Sequence, residues 1–210
     1  MTEYMIPDLP GIINLSKDAI DEVSGKISQS YFGYPYFQYL FNGDYNESAV
    51  KLIYSIAMKS ENKNVIGVVS EDGGAVALYM RPDSKGIGIV KYLLSGGLKL
   101  PFVTSYSTLS RLIAFEKYST ELMNKYANED TWYLMNLSTV PGSRHTGATS
   151  SVVRPMLDHL DSIGCPCYLE TNKDENVPMY EHFGFEVMEK GNVPNSNVPH
   201  YAMLRQPKPR

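Results

Sequence analysis

Residues 139 to 150 read Thr-Val-Pro-Gly-Ser-Arg-His-Thr-Gly-Ala-Thr-Ser, the composition of a turn that cradles phosphate. Pyrophosphate oxygens need several backbone N–H groups pointing one way, and a helix N-terminus supplies them with a favourable dipole. Gly147 removes the Cβ that would block close approach. Arg144 stands at the start of the turn and brings a cation. Further on, Asn176 and Tyr180 lie four residues apart, which puts an amide and a phenol on one helical face. An unperturbed phenol titrates near about 10 and so stays protonated at neutral pH, ready to donate. A ligand held by its phosphates and a proton donor beyond it point to group transfer.

The elements that must position these residues are readable from periodicity. Ser16 caps a predicted helix over 17–30, and Asn46 or Ser48 caps a second one running to Lys59. Strands are predicted at 64–70 and 74–80, joined by a Glu71-Asp72-Gly73 hairpin turn. Residues 6–14 fit a strand or a turn equally, and 84–94 reads as a helix interrupted by glycine. A long amphipathic helix fits 105–126, with Leu109, Leu112, Ile113, Phe115, Leu122 and Met123 on its apolar face. Then come a strand at 132–140, a helix at 147–163 kinked at Pro155, a strand at 166–171 and a helix at 175–183 stopped by Gly184. Strands at 185–190 and 199–205 close the chain around a mobile loop at 191–198. A hairpin, then helices, then strand-helix-strand units make a mixed α/β (α+β) fold, with a central sheet flanked by helices.

Two blocks carry a family resemblance. Arg144-His145-Thr146-Gly147-Ala148-Thr149, after Val140-Pro141, resembles the Gln/Arg-x-x-Gly-x-Gly/Ala signature of the GNAT superfamily of acetyl-CoA-dependent N-acetyltransferases. Ser150-Ser151-Val152-Val153-Arg154-Pro155 is similar to the helix that follows it. Asn176-Val177-Pro178-Met179-Tyr180-Glu181-His182-Phe183-Gly184-Phe185 resembles the family's Asn-x-x-x-Tyr-x-x-x-Gly-Phe block. The detailed match covers roughly the last 80 residues. Thr149 departs from the family's small residue and brings a β-branched hydroxyl into the turn.

The resemblance implies a GNAT-like acyl-CoA N-acyltransferase fold in a single domain over 1–210. Residues up to about 130 would form the acceptor side, and those from about 131 the acetyl-CoA side. It implies acetyl-CoA as the donor and direct transfer to an amine. Its phosphates would meet the backbone from His145 to Ser150, through Thr146, Gly147, Ala148 and Thr149, with Arg144 beside them. Its pantetheine arm would enter between the strands at 132–140 and 166–171. There it would pair with the backbone of Leu137, Thr139 and Val140 and meet Asn176. Tyr180 would protonate the leaving thiolate, and Glu170 is the candidate base. Tyr31, Tyr34 and Tyr36 belong to a run in which seven of eleven residues are aromatic. They either line the acceptor site or pack a helix junction onto the sheet. His200 is a further candidate to face the acceptor, while His145, His159 and His182 read as solvated surface. A CoA-binding module without catalysis stays open as the alternative, because no residue stands out as the base.

Composition bounds the rest. A formal net charge of −4 over 210 residues argues against bulk nucleic-acid binding. No apolar run is long enough to span a bilayer. Met1 to Met5 lack the basic start of a signal peptide, so a cytoplasmic location is expected. Cys165 and Cys167 flank one proline, a spacing poor for a disulfide and without partners for a zinc site. No metal is expected. The expected partner is a small-molecule amine, and homodimerisation stays open.

Overall fold

The computed structural model describes residues 8–13, 15–61, 63–82, 84, 89–143 and 146–208, apart from the side chains of 89–91. Three helices begin where a side-chain oxygen can take an orphan amide. Ser16 accepts from Ala19 N to start α1 (Lys17–Ser30), and Asn46 accepts from Ala49 N to start α3 (Glu47–Ser60). Ser105 accepts from Thr108 N to start α6 (Tyr106–Tyr126). Between α1 and α3, Pro35 opens the short α2 (Pro35–Leu40) at the one helical position that tolerates its missing N–H. Short helices α4 (Ile89–Leu94) and α5 (Leu100–Val103) precede α6. Residues 83 and 85–88, where the glycine-interrupted helix was expected to start, lie outside the described residues.

Among the described residues, seven strands form one sheet in the order β1-β2-β3-β4-β5-β7-β6. They are β1 (Ile12–Ile13), β2 (Val65–Val69), β3 (Ala75–Met80), β4 (Trp132–Thr139), β5 (Cys167–Thr171), β6 (Glu186–Asn192) and β7 (Pro199–Arg205). Among the described residues, only β4 and β5 run parallel. The near-continuous apolar runs of β2 and β3 follow from burial on both faces. The last expected strand pair holds, but β6 reaches Asn192, and 193–198 is a closed turn with Val193 N bonded to Val198 O rather than a loose loop.

Two helices cover one face of the sheet: α7 (Ala148–Ile163), and α8 (Val177–His182) after a 3-10 turn at Asp174–Asn176. Val152, Val153, Met156, Leu157 and Leu160 of α7 are buried against Tyr79, Trp132, Leu134 and Leu169. Fully burying one such side chain stabilises by about 1.5–3 kcal/mol, which explains why α7 runs on through Pro155 to Ile163. On the other face, α1 and α3 pack on β2 and β3 through Ile20, Ile27, Met58 and Leu78. There α6 packs on β5 and β7 through Leu122, Tyr168 and Ala202. Ile113 was expected in that apolar stripe, yet it is 69% exposed because it sits more than a quarter turn off the line through Leu112 and Leu122.

One buried ion pair fastens β7 to both α7 and α8. Arg205, almost fully buried, donates from its two terminal nitrogens to Asp161 at 2.7 and 2.6 Å. Its Nε donates to the Phe183 carbonyl at 3.0 Å. These bonds hold the Asp161 carboxyl below its usual value, with the Lys208 amide assisting. Replacing Arg205 by alanine should cost about 3–5 kcal/mol, since it strands a partly buried charge. A carboxyl with a depressed folded pKa stabilises above its unfolded value and loses that contribution as pH falls through the folded one. The stability gap between wild type and Arg205→Ala, read from urea midpoints, should therefore be widest near pH 7 and narrow below about pH 4. A gap that does not change with pH would refute this account.

Candidate active site

Hydrogen-bonded pairing between β4 and β5 covers only Trp132–Cys167, Tyr133–Tyr168 and Leu134–Leu169. Beyond Leu134 and Leu169 the two strands part. A bulge opposite Leu78 and Tyr79 inserts Met135 and re-aims the outer half of β4. The gap lies between Asn136–Thr139 on one side and Glu170–Thr171 on the other.

Immediately after β4 comes the turn into α7. Gly147 caps that helix at φ 91°, a left-handed conformation that favours glycine. A Cβ there would project into open space, so the concavity in front of the helix is clear. Thr146 stays exposed, with its hydroxyl bonded to the Ser143 carbonyl and 3.4 Å from Ala148 N. The first amides of α7, at Ala148, Thr149 and Ser150, have no carbonyl one turn back within the helix. Thr149, the departure from the family pattern, is accommodated: its hydroxyl bonds Thr139 Oγ1 at 3.0 Å and ties the helix start to the end of β4. Val140 N is already taken by the Gly74 carbonyl at 2.8 Å, so among the strand-end residues Leu137 and Thr139 are left to meet a ligand. Arg144 and His145 lie outside the described residues. An anionic diphosphate fits this arrangement by shape and by dipole.

Tyr180 of α8 is buried in the core of the α7 face. Burial pushes its phenol well above the ordinary value near 10, and the nearby Tyr34 and Tyr31 push it further the same way. Asn176 does not cap α8. Its amide reaches back to Thr171 Oγ1 at 3.2 Å, at the gap. The connection between α1 and α2 closes the gap from the other face. Tyr31 donates to Asn136 Oδ1 on β4 at 2.9 Å. Tyr34 bonds Thr171 Oγ1 on β5 at 3.1 Å and accepts from Asn172 N at 2.9 Å. The two rings meet edge to face at 5.1 Å, and Tyr31 stacks on Tyr54. The aromatic run therefore packs the helix junction and also faces the gap. Tyr36 is separate, turned toward α6, with its ring centroid 4.2 Å from that of Phe115.

Glu170 points to the α6 face. Tyr168 donates to its Oε1 at 2.7 Å and Ser119 to its Oε2 at 2.6 Å. His200 is fully buried with Nε2 3.6 Å from Glu170 Oε2. His182 is exposed beside Arg154 at 3.0 Å. His159 is half-buried, and that burial lowers its pKa. Cys165 and Cys167 are buried free thiols, Cys167 pushed up to about 12 by burial. No group of residues that could hold a metal occurs among the described residues. A shallow concavity of about 430 Å³ on the β6–β7 turn, lined by Asn192 to Asn197, brings no titratable group.

Glu116 of α6 escaped the sequence reading. Crowding by protein and then the like charge of Glu170 push its carboxyl up to about 7, even though solvent reaches the residue. A detectable signal existed. The face of α6 that carries Leu112, Phe115 and Leu122 also carries Glu116 and Ser119, so two polar residues interrupt an apolar line.

No protein-family model matches the chain. An uncharacterised N-acetyltransferase of Schizosaccharomyces pombe is 26% identical over 156 residues, 68% of this chain, and the chain spans 61% of that relative's length. A solved histone acetyltransferase and related acetyltransferase of Corynebacterium glutamicum is 15% identical with a TM-score of 0.63, covering 96% of this chain and 98% of its own. Arylalkylamine N-acetyltransferase 2 of Aedes aegypti is 15% identical with a TM-score of 0.60, covering 94% and 98%. Both likenesses run over nearly the whole of this chain and of the solved one. In sequence the chain is thus similar to an N-acetyltransferase, and in fold to solved acetyltransferases.

Proposed function

We propose that this protein is an acetyl-CoA-dependent N-acetyltransferase whose acceptor is a small amine. The observation that carries this is the early end of the β4–β5 pairing, directly before a glycine-capped helix start, with Tyr180 buried on the same face of the sheet as that helix. Acetyl-CoA supplies an acyl group activated as a thioester. The amides of Ala148, Thr149 and Ser150 hold the diphosphate, aided by Arg144. Leu137, Thr139 and Asn176 orient the arm that enters the gap.

Tyr180 keeps a proton at Oη where the departing sulfur needs one. Burial raises a phenol and a thiol in the same direction, so the driving force between them survives the dry setting. From the opposite face, Glu170 takes the proton that the acceptor nitrogen must shed, since an alkylamine arrives charged. Ser119 and Tyr168 hold that carboxylate in one orientation. Tyr31 and Tyr34 wall the acceptor side. In this reading the whole chain acts as one unit, and its two buried free cysteines suit the reducing cytoplasm.

Calorimetric titration with acetyl-CoA, and with CoA lacking its 3′-phosphate, tests the donor. Binding in the micromolar range corresponds to about −8 kcal/mol and is expected. Absence of binding at high micromolar ligand would sink the transferase reading.

A further inference from the structure

Behind Glu170, on the β7 side, stands a fully buried histidine. Glu170 is the first residue of β5 past the last position that pairs with β4. Its side chain is 6% exposed, and that of His200 on the neighbouring β7 is not exposed at all. Glu170 pairs with Ala202 and Thr171 with Tyr201. By the two-residue period of a strand, Tyr168, Glu170, Ala202 and His200 therefore project from one face, the one that α6 covers. The rings of Phe115 and Tyr118 on α6 flank the imidazole, with centroids 5.5 and 5.2 Å away.

A neighbouring amide fixes the tautomer of His200. The Asn172 side-chain nitrogen donates to the Pro199 carbonyl at 3.1 Å and lies 2.9 Å from His200 Nδ1. Turning that amide over would set its oxygen against the carbonyl, so the nitrogen faces both partners. Nδ1 therefore accepts, and the neutral ring carries its proton on Nε2. Nε2 has no hydrogen-bond partner among the described residues, and it stands 3.6 Å from Glu170 Oε2. A buried N–H left without a partner is unfavourable and calls for a reason.

The carboxylate beside it supplies one. Tyr168 donates to Glu170 Oε1 at 2.7 Å, and Ser119 donates to Oε2 at 2.6 Å. A carboxylate offers about four lone-pair sites, two on each oxygen. Ser119 takes one site on Oε2, with the His200 N–H next to the other. Tyr168 takes one on Oε1, and the second site on Oε1 stays open. We infer that His200 is a positioning residue for Glu170: with Ser119 it claims Oε2, so the proton shed by the acceptor nitrogen goes to Oε1. In that step an N–H bond of the ammonium breaks, an O–H bond forms at Oε1, and the electron pair stays on nitrogen for the attack. This rests on the reading above in which Glu170 is the base, and it names the residue that decides which of its oxygens works. Asn172 serves the same end, since the other tautomer would set a ring lone pair against the carboxylate.

The test has two arms. Nitrogen–proton NMR of the imidazole, assigned by its loss in His200→Gln, reads the tautomer. The proton is expected on Nε2, and its resonance should move in Glu170→Gln. Turnover is measured with acetyl-CoA and each of butylamine, 2-phenylethylamine and spermidine. His200→Phe keeps a ring between Phe115 and Tyr118 but has no donor. It should lose about tenfold or more in kcat, while KM for acetyl-CoA stays within about threefold. His200→Gln, which restores an N–H donor, should recover most of that loss. Unchanged kcat in His200→Phe, or an equal loss in both variants with lowered melting temperatures, would overturn the inference and leave His200 a packing role. Turnover in a wild type whose ring proton sits on Nδ1 would overturn this inference alone. A wild type that turns over none of the three amines would overturn the amine-acceptor reading together with it.

Discussion

Tyr180→Phe is expected to lower kcat by about 10²-fold or more, the range that a positioned general acid supplies, while acetyl-CoA affinity stays within about threefold, as the ring still fills its site. Phenylalanine keeps the edge-to-face packing on Phe185 at 6.1 Å and removes one oxygen. The variant should therefore unfold within a degree or two of wild type, and the loss should appear in turnover alone. In the wild type the phenol lies well above 10, so no basic limb from Tyr180 should appear in the rate profile below about pH 9. Steady-state kinetics of both proteins over that range decides the matter. Turnover that is unchanged in the variant would strip Tyr180 of the acid role and leave the departing sulfur to water.

The second large effect is expected at Gly147. Valine there must adopt φ near 91°, which costs an L-residue about 1–2 kcal/mol. At about 2–4 °C per kcal/mol for a chain of this size, the melting temperature should fall by only several degrees. Affinity should fall much further. The new side chain enters the open space before the first amides of α7, where it displaces the diphosphate from charge-assisted hydrogen bonds worth about 1.5–3 kcal/mol each. Loss of one or two such bonds weakens acetyl-CoA binding by about 10²-fold, read by calorimetry. A Gly147→Val protein that binds as tightly as wild type would move the phosphates elsewhere.

Local features were legible in the sequence because local chemistry decides them. Ser16 and Asn46 are caps whose partners lie three residues away. The Gly147 turn and the Gly184 stop each depend on one residue's φ. The order of strands near the gap came from the resemblance, since periodicity alone admits several mixed sheets. What stayed hidden is what joins distant parts of the chain. Tyr31 reaches Asn136 across 105 residues and Tyr34 reaches Thr171 across 137, and no pattern within one helix announces either bond. Glu116 was missed for a related reason. A helical stripe was read for its apolar members, and the polar interruption at Glu116 and Ser119 passed as noise. Its meaning depends on Glu170, 54 positions further along the chain. Val140 shows the converse: its amide looked available for a ligand until the hairpin carbonyl of Gly74 was found bonded to it.

The two connector tyrosines have a mechanical consequence. One grips β4 and the other β5, just past the point where those strands stop pairing. They act as a spacer bar, so the width of the opening that admits the donor is set by the segment that receives the acceptor. The donor half is therefore not a portable cartridge. A chimaera that joined residues 131–210 to the front half of a relative would need to bring Tyr31 and Tyr34 with it, or the freed strand edges would be at liberty to zip together.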